Sequence, residues 1–305
     1  MVRRIGLRAW MLCLLVAILL LAAVGFALLI LINNVSFPRL SRADFTNRLD
    51  RSLAASTSWA AKQFPSDGSG RLMVTDLGAE FASNPALVHM LVDLSKISAD
   101  PRLQELSSRV VAEYRRTPVG LAGKMVDPTI AEPPLVAPNM EEYQRWMLHA
   151  ISPEELPLSD AERADMFSTG KLKMYNLTHQ LFAFYFARKF HGETPELHAL
   201  MDRAEQNIAT EATYDFRVTD LYLERIAFLL AAGRPDLVKP RWVERSLAAQ
   251  QSDGGWRYTW GGWGPHVLRY AGPGERSLAH STVLGMWLTN MLKYRYPEWI
   301  AKNYQ

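Results

Sequence analysis

The sequence predicts an all-α protein, with an N-terminal transmembrane helix followed by a domain of stacked helical hairpins. Three observations predict it. From Trp10 to Ile32 there is no charged residue and no proline. Those 23 residues, at about 1.5 Å each, reach roughly 35 Å, enough to cross a hydrocarbon core of about 30 Å. Beyond residue 40, apolar residues recur at helical spacing in one segment after another, punctuated by Gly and Pro. In the C-terminal half, paired segments return at intervals of roughly 40 to 60 residues, the period of stacked helical hairpins.

Composition bounds the rest. A chain of 305 residues, 49% hydrophobic and 21% charged, is long enough for one sizeable domain or two small ones and is not disordered. Its 34 basic and 31 acidic residues leave a net charge of +3 without a run of five like charges, so nucleic acid is not an expected partner. Cys13 is the only cysteine and lies in the apolar run, which excludes an intramolecular disulfide and a cysteine-based metal site.

The apolar run is longer than the region of about 7–15 residues found in a cleaved signal peptide. It continues through Leu28–Ile32 past the small residues Ala22 and Ala23. We therefore read residues 10–32 as an uncleaved single-pass anchor, with a cleaved signal peptide as the alternative. Arg3, Arg4 and Arg8 mark residues 1–9 as cytoplasmic, although Arg39 and Arg42 weaken the asymmetry. After a connector at 33–40, the domain at 41–305 is expected outside the cytoplasm, on the periplasmic or outer face of an inner membrane.

Taken in order, Phe45, Leu49, Leu53, Trp59 and Phe64 are spaced for a helix over 41–64. Helices follow at about 72–83, 86–97 and 101–116, the last opened by Asp100-Pro101. Between 117 and 157, Pro118, Pro128, Pro133, Pro134, Pro138, Pro153 and Pro157 prevent long helices except at 139–150. Leu121, Met125, Ile130, Leu135 and Val136 are apolar enough for this insert to pack over one mouth of the domain. Hairpins then follow at 177–190 with 195–210 and at 217–232 with 236–251, and a final pair begins near Ser277 and continues to Tyr294, followed by a short tail around Trp299.

The stretch Leu247-Ala248-Ala249-Gln250-Gln251-Ser252-Asp253-Gly254-Gly255-Trp256 explains how such hairpins are joined. It resembles the Gln-x-x-x-Gly-x-Trp repeat, the QW motif, of squalene–hopene cyclases and related α/α-toroid proteins. The resemblance implies an α/α-toroid in which the Gln250 amide bonds neighbouring backbone, Gly254 and Gly255 make the turn, and the Trp256 indole stacks across it. Trp59 to Gly70 looks like a worn copy without a closing Trp. The chemistry of these families does not carry over. The chain lacks the Asp-x-Asp-Asp acid motif, the Asp-Asp-x-x-Asp metal motif and the zinc-binding cysteines.

Aligning the C-terminal hairpins on their first helices places Thr178-His179, Thr219-Asp220 and Ala279-His280 at equivalent positions, with Glu224 one turn beyond Asp220. His179, Asp220, Glu224 and His280 are therefore candidate catalytic residues, since a histidine exchanges protons near neutral pH and a carboxylate orients it. Each also has a plain reading as a helix-start residue, with Glu224 paired to Arg225 or Arg188. The same residue types could hold a divalent metal; we assign none, and no other cofactor. Tyr175, Asn176 and His179 are similar in type to the residues of toroid polysaccharide lyases.

After the joint, Trp256, Tyr258, Trp260, Trp263 and His266 lie among glycines. They are candidate ligand-binding residues for a sugar ring or lipid chain, or a plug for the end of the domain. The expected function is a non-catalytic scaffold or accessory subunit of a cell-envelope system, in contact with a membrane protein. The alternative is a glycan-active enzyme, lyase or hydrolase, acting on a carbohydrate or lipid-linked glycan; a terpenoid-binding toroid is third.

Overall fold

The computed structural model describes residues 2–37, 40–63, 84–116, 122–129, 140–170, 173–257 and 277–305. Every regular element among them is helical. Helix α1 runs Val2–Asn34, α2 Arg42–Gln63, α3 Pro85–Ile97 and α4 Pro101–Arg116. The short α5 (Gly123–Val126) precedes α6 (Glu142–Ile151) and α7 (Asp160–Phe167), and then come α8 (Tyr175–His191), α9 (Pro195–Tyr214) and α10 (Asp220–Ala232). A 3-10 turn at Pro235–Leu237 leads into α11 (Pro240–Ala248), and α12 (Ala279–Asn290) passes through a π turn at Met291–Arg295 into α13 (Pro297–Asn303).

Local chemistry sets these boundaries. Asn84 caps α3 by accepting from the Ala86 and Leu87 amides at 3.0 and 3.4 Å, with Pro85 at the first helical position. Thr194 and Pro195 start α9 in the same way. Ser159 and Glu162 form a reciprocal capping box that starts α7, a helix the sequence reading did not assign. Gly233, at φ +96°, ends α10 in the left-handed conformation that glycine adopts without a Cβ clash.

Helices α8, α10, α12 and α3 pack each against the next. Around them, α9 lies against α8 and α10, α11 bridges α10 and α2, α2 covers α12, and α4 lies on α3. Aromatic rings from the four central helices meet in the middle. Phe182 of α8 stacks on Phe228 of α10 at 4.6 Å and lies 6.1 Å from Trp287 of α12 and 6.2 Å from His89 of α3. The described part of the Pro-rich stretch is integral to this body, because α6 lies along α8 and buries Trp146, Met147, Leu148 and Ile151. The expected helix at 72–83 and the worn turn at 64–70 lie outside the described residues.

Helix α1 contains a segment, Trp10–Asn34, long and apolar enough to cross a membrane, and the rest of the chain leaves its apolar window uncovered. Its last turn is different, because Asn33 is fully buried. Asn33 Nδ2 donates to the Ala212 and Thr213 carbonyls of α9 at 2.8 and 3.2 Å, and its Oδ1 accepts from Tyr222 Oη at 2.9 Å and from Arg245. Asn34 Nδ2 donates to the Thr213 carbonyl at 2.8 Å while its Oδ1 accepts from Lys239 Nζ at 2.8 Å and Trp242 Nε1 at 3.2 Å. Arg241 Nε donates to the Ile32 carbonyl at 3.0 Å, supplying a partner that a helix end cannot provide for itself.

Candidate functional site

Two polar constructions stand at helix ends. The first is the turn after α11. Gln250 Nε2 donates to the Ser52 carbonyl of α2 at 3.0 Å and to the Gly254 carbonyl at 2.8 Å. Trp256 is buried; its Nε1 donates to the Ser246 carbonyl at 2.7 Å, its amide donates to Thr282 Oγ1 at 2.9 Å, and its carbonyl accepts from the Leu278 amide at 2.9 Å. Gly254 has φ +97°, and a Cβ there would run into the Ala55 backbone. Gly255 abuts Ser277, and a Cβ on Gly285 of α12 would sit 2.5 Å from the Trp256 indole. Gln250, Gly254, Gly255 and Trp256 thereby tie α11 to α2 and α12.

The second construction is where the N-terminal ends of α8, α10 and α12 meet. His280 Nδ1 lies 3.2 Å from Asp220 Oδ2. His179 Nε2 lies 3.6 Å from Glu224 Oε1. The structure thus brings the four candidate catalytic residues together as two facing pairs. Glu224 and His179 are 1% and 5% exposed and Asp220 is 6% exposed, whereas the His280 side chain is 23% exposed. Tyr143 of α6 and Tyr175 flank the His179 ring at centroid distances of 4.4 and 4.3 Å.

Burial decides the protonation of the inner pair. It pushes the Glu224 carboxyl up to about 8, with Asp220 acting in the same direction and His280 and Thr178 opposing. It pushes His179 down to about 4, His280 adding to the effect while the bond to the Tyr175 carbonyl opposes it. Both are neutral near pH 7, so the 3.6 Å contact between them is not an ion pair.

The hydrogen bonds fit that assignment. The Tyr175 carbonyl, which can only accept, lies 2.8 Å from both His179 Nδ1 and Thr178 Oγ1, so Nδ1 carries the ring proton and Nε2 the lone pair. Thr178 Oγ1, which also lies 3.0 Å from Glu224 Oε2, donates to that carboxyl and so opposes the effect of burial without overturning it. The pairing of Glu224 with Arg225 or Arg188 that a plain structural reading expects is not formed. Arg225 bonds Glu211 and Asp215 at 2.8 Å each, and Arg188 donates to the Ala232 carbonyl at 3.2 Å.

Thr178 and Tyr143 are the members of this group that the sequence reading did not assign. Thr178 stands beside His179 in the aligned column, so its signal was present. Tyr143 lies in the Pro-rich stretch, where no periodicity connects it to α8. Of the aromatic loop, Tyr258, Trp260, Trp263 and His266 lie outside the described residues, and Trp256 belongs to the joint. Among the described residues no group of three or more His, Cys, Asp or Glu side chains has the geometry to hold a metal ion. Two clefts lined by described residues, of about 310 and 360 Å³, border Arg188 with Arg234 and Arg48 with Arg51, not the four-residue group. No protein-family profile, curated protein or solved structure matches the chain.

Proposed function

We propose that the chain is a membrane-anchored α/α-toroid, held outside the cytoplasm, that performs acid–base chemistry on a glycan of the cell envelope. The observation that carries this reading is the inner pair: a carboxyl kept protonated near pH 7 beside a neutral histidine, with the Asp220–His280 pair next to it. Lyases and hydrolases of sugars both need an acid for the leaving oxygen and a base for a carbon-bound proton or a water. Glu224 is the acid. Asp220, facing His280 Nδ1, orients that ring as the base, and the Tyr143 and Tyr175 rings beside His179 provide an aromatic wall of the kind that stacks on sugars. The toroid reading is supported by the QW-like joint and by the succession α8, α10, α12, α3.

The test is to incubate the full-length protein with envelope polysaccharides. Formation of new reducing ends, or of the conjugated alkene a lyase leaves, is expected. Glu224→Gln should lower the rate by about 10²–10⁴-fold, the usual range for removing a general acid, while the fold is kept. Equal turnover by that variant rules the acid role out. The burial of His179, Asp220 and Glu224 favours a second reading, a non-catalytic scaffold or accessory subunit bound to a membrane protein. That reading expects no turnover by the wild type and recovery of a partner after cross-linking in membranes.

A further inference from the structure

The acid–base group and the membrane anchor are built on opposite faces of one helix. Tyr222 of α10 reaches Asn33, the last buried residue of the span, at 2.9 Å. Asp220 and Glu224 lie two residues to either side of Tyr222. Two residues advance about 3 Å along a helix and turn about 200°, so both acids face away from Tyr222, across a helix about 10 Å thick. With the length of the Tyr222 side chain and its bond to Asn33 added to that thickness, the inner pair lies roughly 15–20 Å from the point where the apolar span ends. The polar layer of a bilayer adds roughly 5–8 Å beyond the hydrocarbon on each side, so the group stands no more than about 15 Å above the headgroups.

The height is fixed by more than one bond. The end of α1 is held by Ala212 and Thr213 of α9 and by Lys239, Arg241, Trp242 and Arg245 at α11, which leaves no free linker between span and domain. Around that exit, Phe37 and Tyr214 are 87% and 55% exposed. Aromatic and basic side chains of this kind settle at the membrane–water interface.

We infer that the acid–base group acts on a membrane-borne amphiphile whose reacting headgroup is presented at the bilayer surface, as in a lipid-linked glycan, and not on a freely soluble polymer. This rests on the acid–base reading above. The experiment places the full-length protein in nanodiscs containing a phospholipid with a photoreactive diazirine in its headgroup, and maps the cross-linked peptides. Labelling is expected on the exit segment at 35–42, on Tyr214 and at the rim around Tyr175 and Asn176. The same diazirine headgroup without acyl chains should label the rim much less.

Labelling confined to the exit segment, labelling spread evenly to the α8–α9 turn at 191–195, no labelling of the domain, or equal rim labelling by the chainless headgroup would each overturn the inference. Glu224→Gln leaves this geometry unchanged. Loss of the acid role with the labelling pattern intact, or the reverse, therefore separates failure of the acid–base reading from failure of the membrane-borne substrate.

Discussion

The joint at Gln250–Trp256 and the rim at His179, Asp220, Glu224 and His280 are both clusters of polar groups at helix ends, but they use their hydrogen bonds differently. At the joint, Gln250 and the Trp256 indole bond backbone carbonyls, so each side chain completes a helix end or a turn. At the rim, Glu224 faces a histidine and a threonine, and Asp220 faces a histidine. Side chains that bond backbone hold a fold in place. Titratable side chains that face one another, in a site that shifts their proton affinities, are what the proposed acid–base reading draws on.

The comparison breaks first, if it breaks, at Trp256. Trp256→Ala is expected to cost about 3–5 kcal/mol through the cavity it leaves, read as a loss of thermal or denaturant midpoint. Gly285→Ala drives a methyl into the same indole and is expected to cost about 1–3 kcal/mol. Gln250→Ala removes the bonds to the Ser52 and Gly254 carbonyls, for about 1–2 kcal/mol. If Glu224→Gln, which changes one oxygen to an amide, destabilises the protein at pH 6.5 as much as Gln250→Ala does, the rim is a structural joint as well.

The pH dependence sharpens the contrast. Glu224 titrates near 8 in the folded protein against an ordinary 4.5. The folded state thus holds a proton that the unfolded chain releases, and stability falls as pH rises between those values. His179 near 4 and His89 near 3, against an ordinary 6.5, have the opposite sign, so their contribution grows with pH and is complete above 6.5. Of these three groups only Glu224 acts between about pH 6.5 and 8, where stability should fall by at most about 1.4 kcal/mol per pH unit. Chemical denaturation at both pH values should show the fall in the wild type and its loss in Glu224→Gln.

Much of the architecture was legible in the sequence, and the reasons are specific. The uncharged run at Trp10–Ile32 marks the one described helix apolar enough to span a membrane. Asp100-Pro101 opens α4 as expected, and the hairpin break after residue 232 falls at Gly233. Aligning helix starts named His179, Asp220 and His280, which do converge, although they stand fifth, first and second in α8, α10 and α12 and not at equivalent positions. It did not find Tyr143, whose contact with His179 depends on where a proline-broken segment docks. Nor did it foresee the protonation of Glu224, which follows from how completely the surrounding helices exclude water. The capping box at Ser159 and Glu162 was readable, but α7 is only eight residues long and has little periodicity.

The buried Asn33 has a consequence for proteolytic shedding. Many tethered domains are released when a protease cuts the stalk between membrane and domain. Here a cut within residues 35–41 would sever only the covalent path. Asn33 and Asn34 would still bond the carbonyls of Ala212 and Thr213, with Tyr222, Lys239, Trp242 and Arg245 closing over them. With α1 as the proposed anchor, the clipped domain would stay on the membrane until that socket opened, and a nick in the connector would not be a release signal.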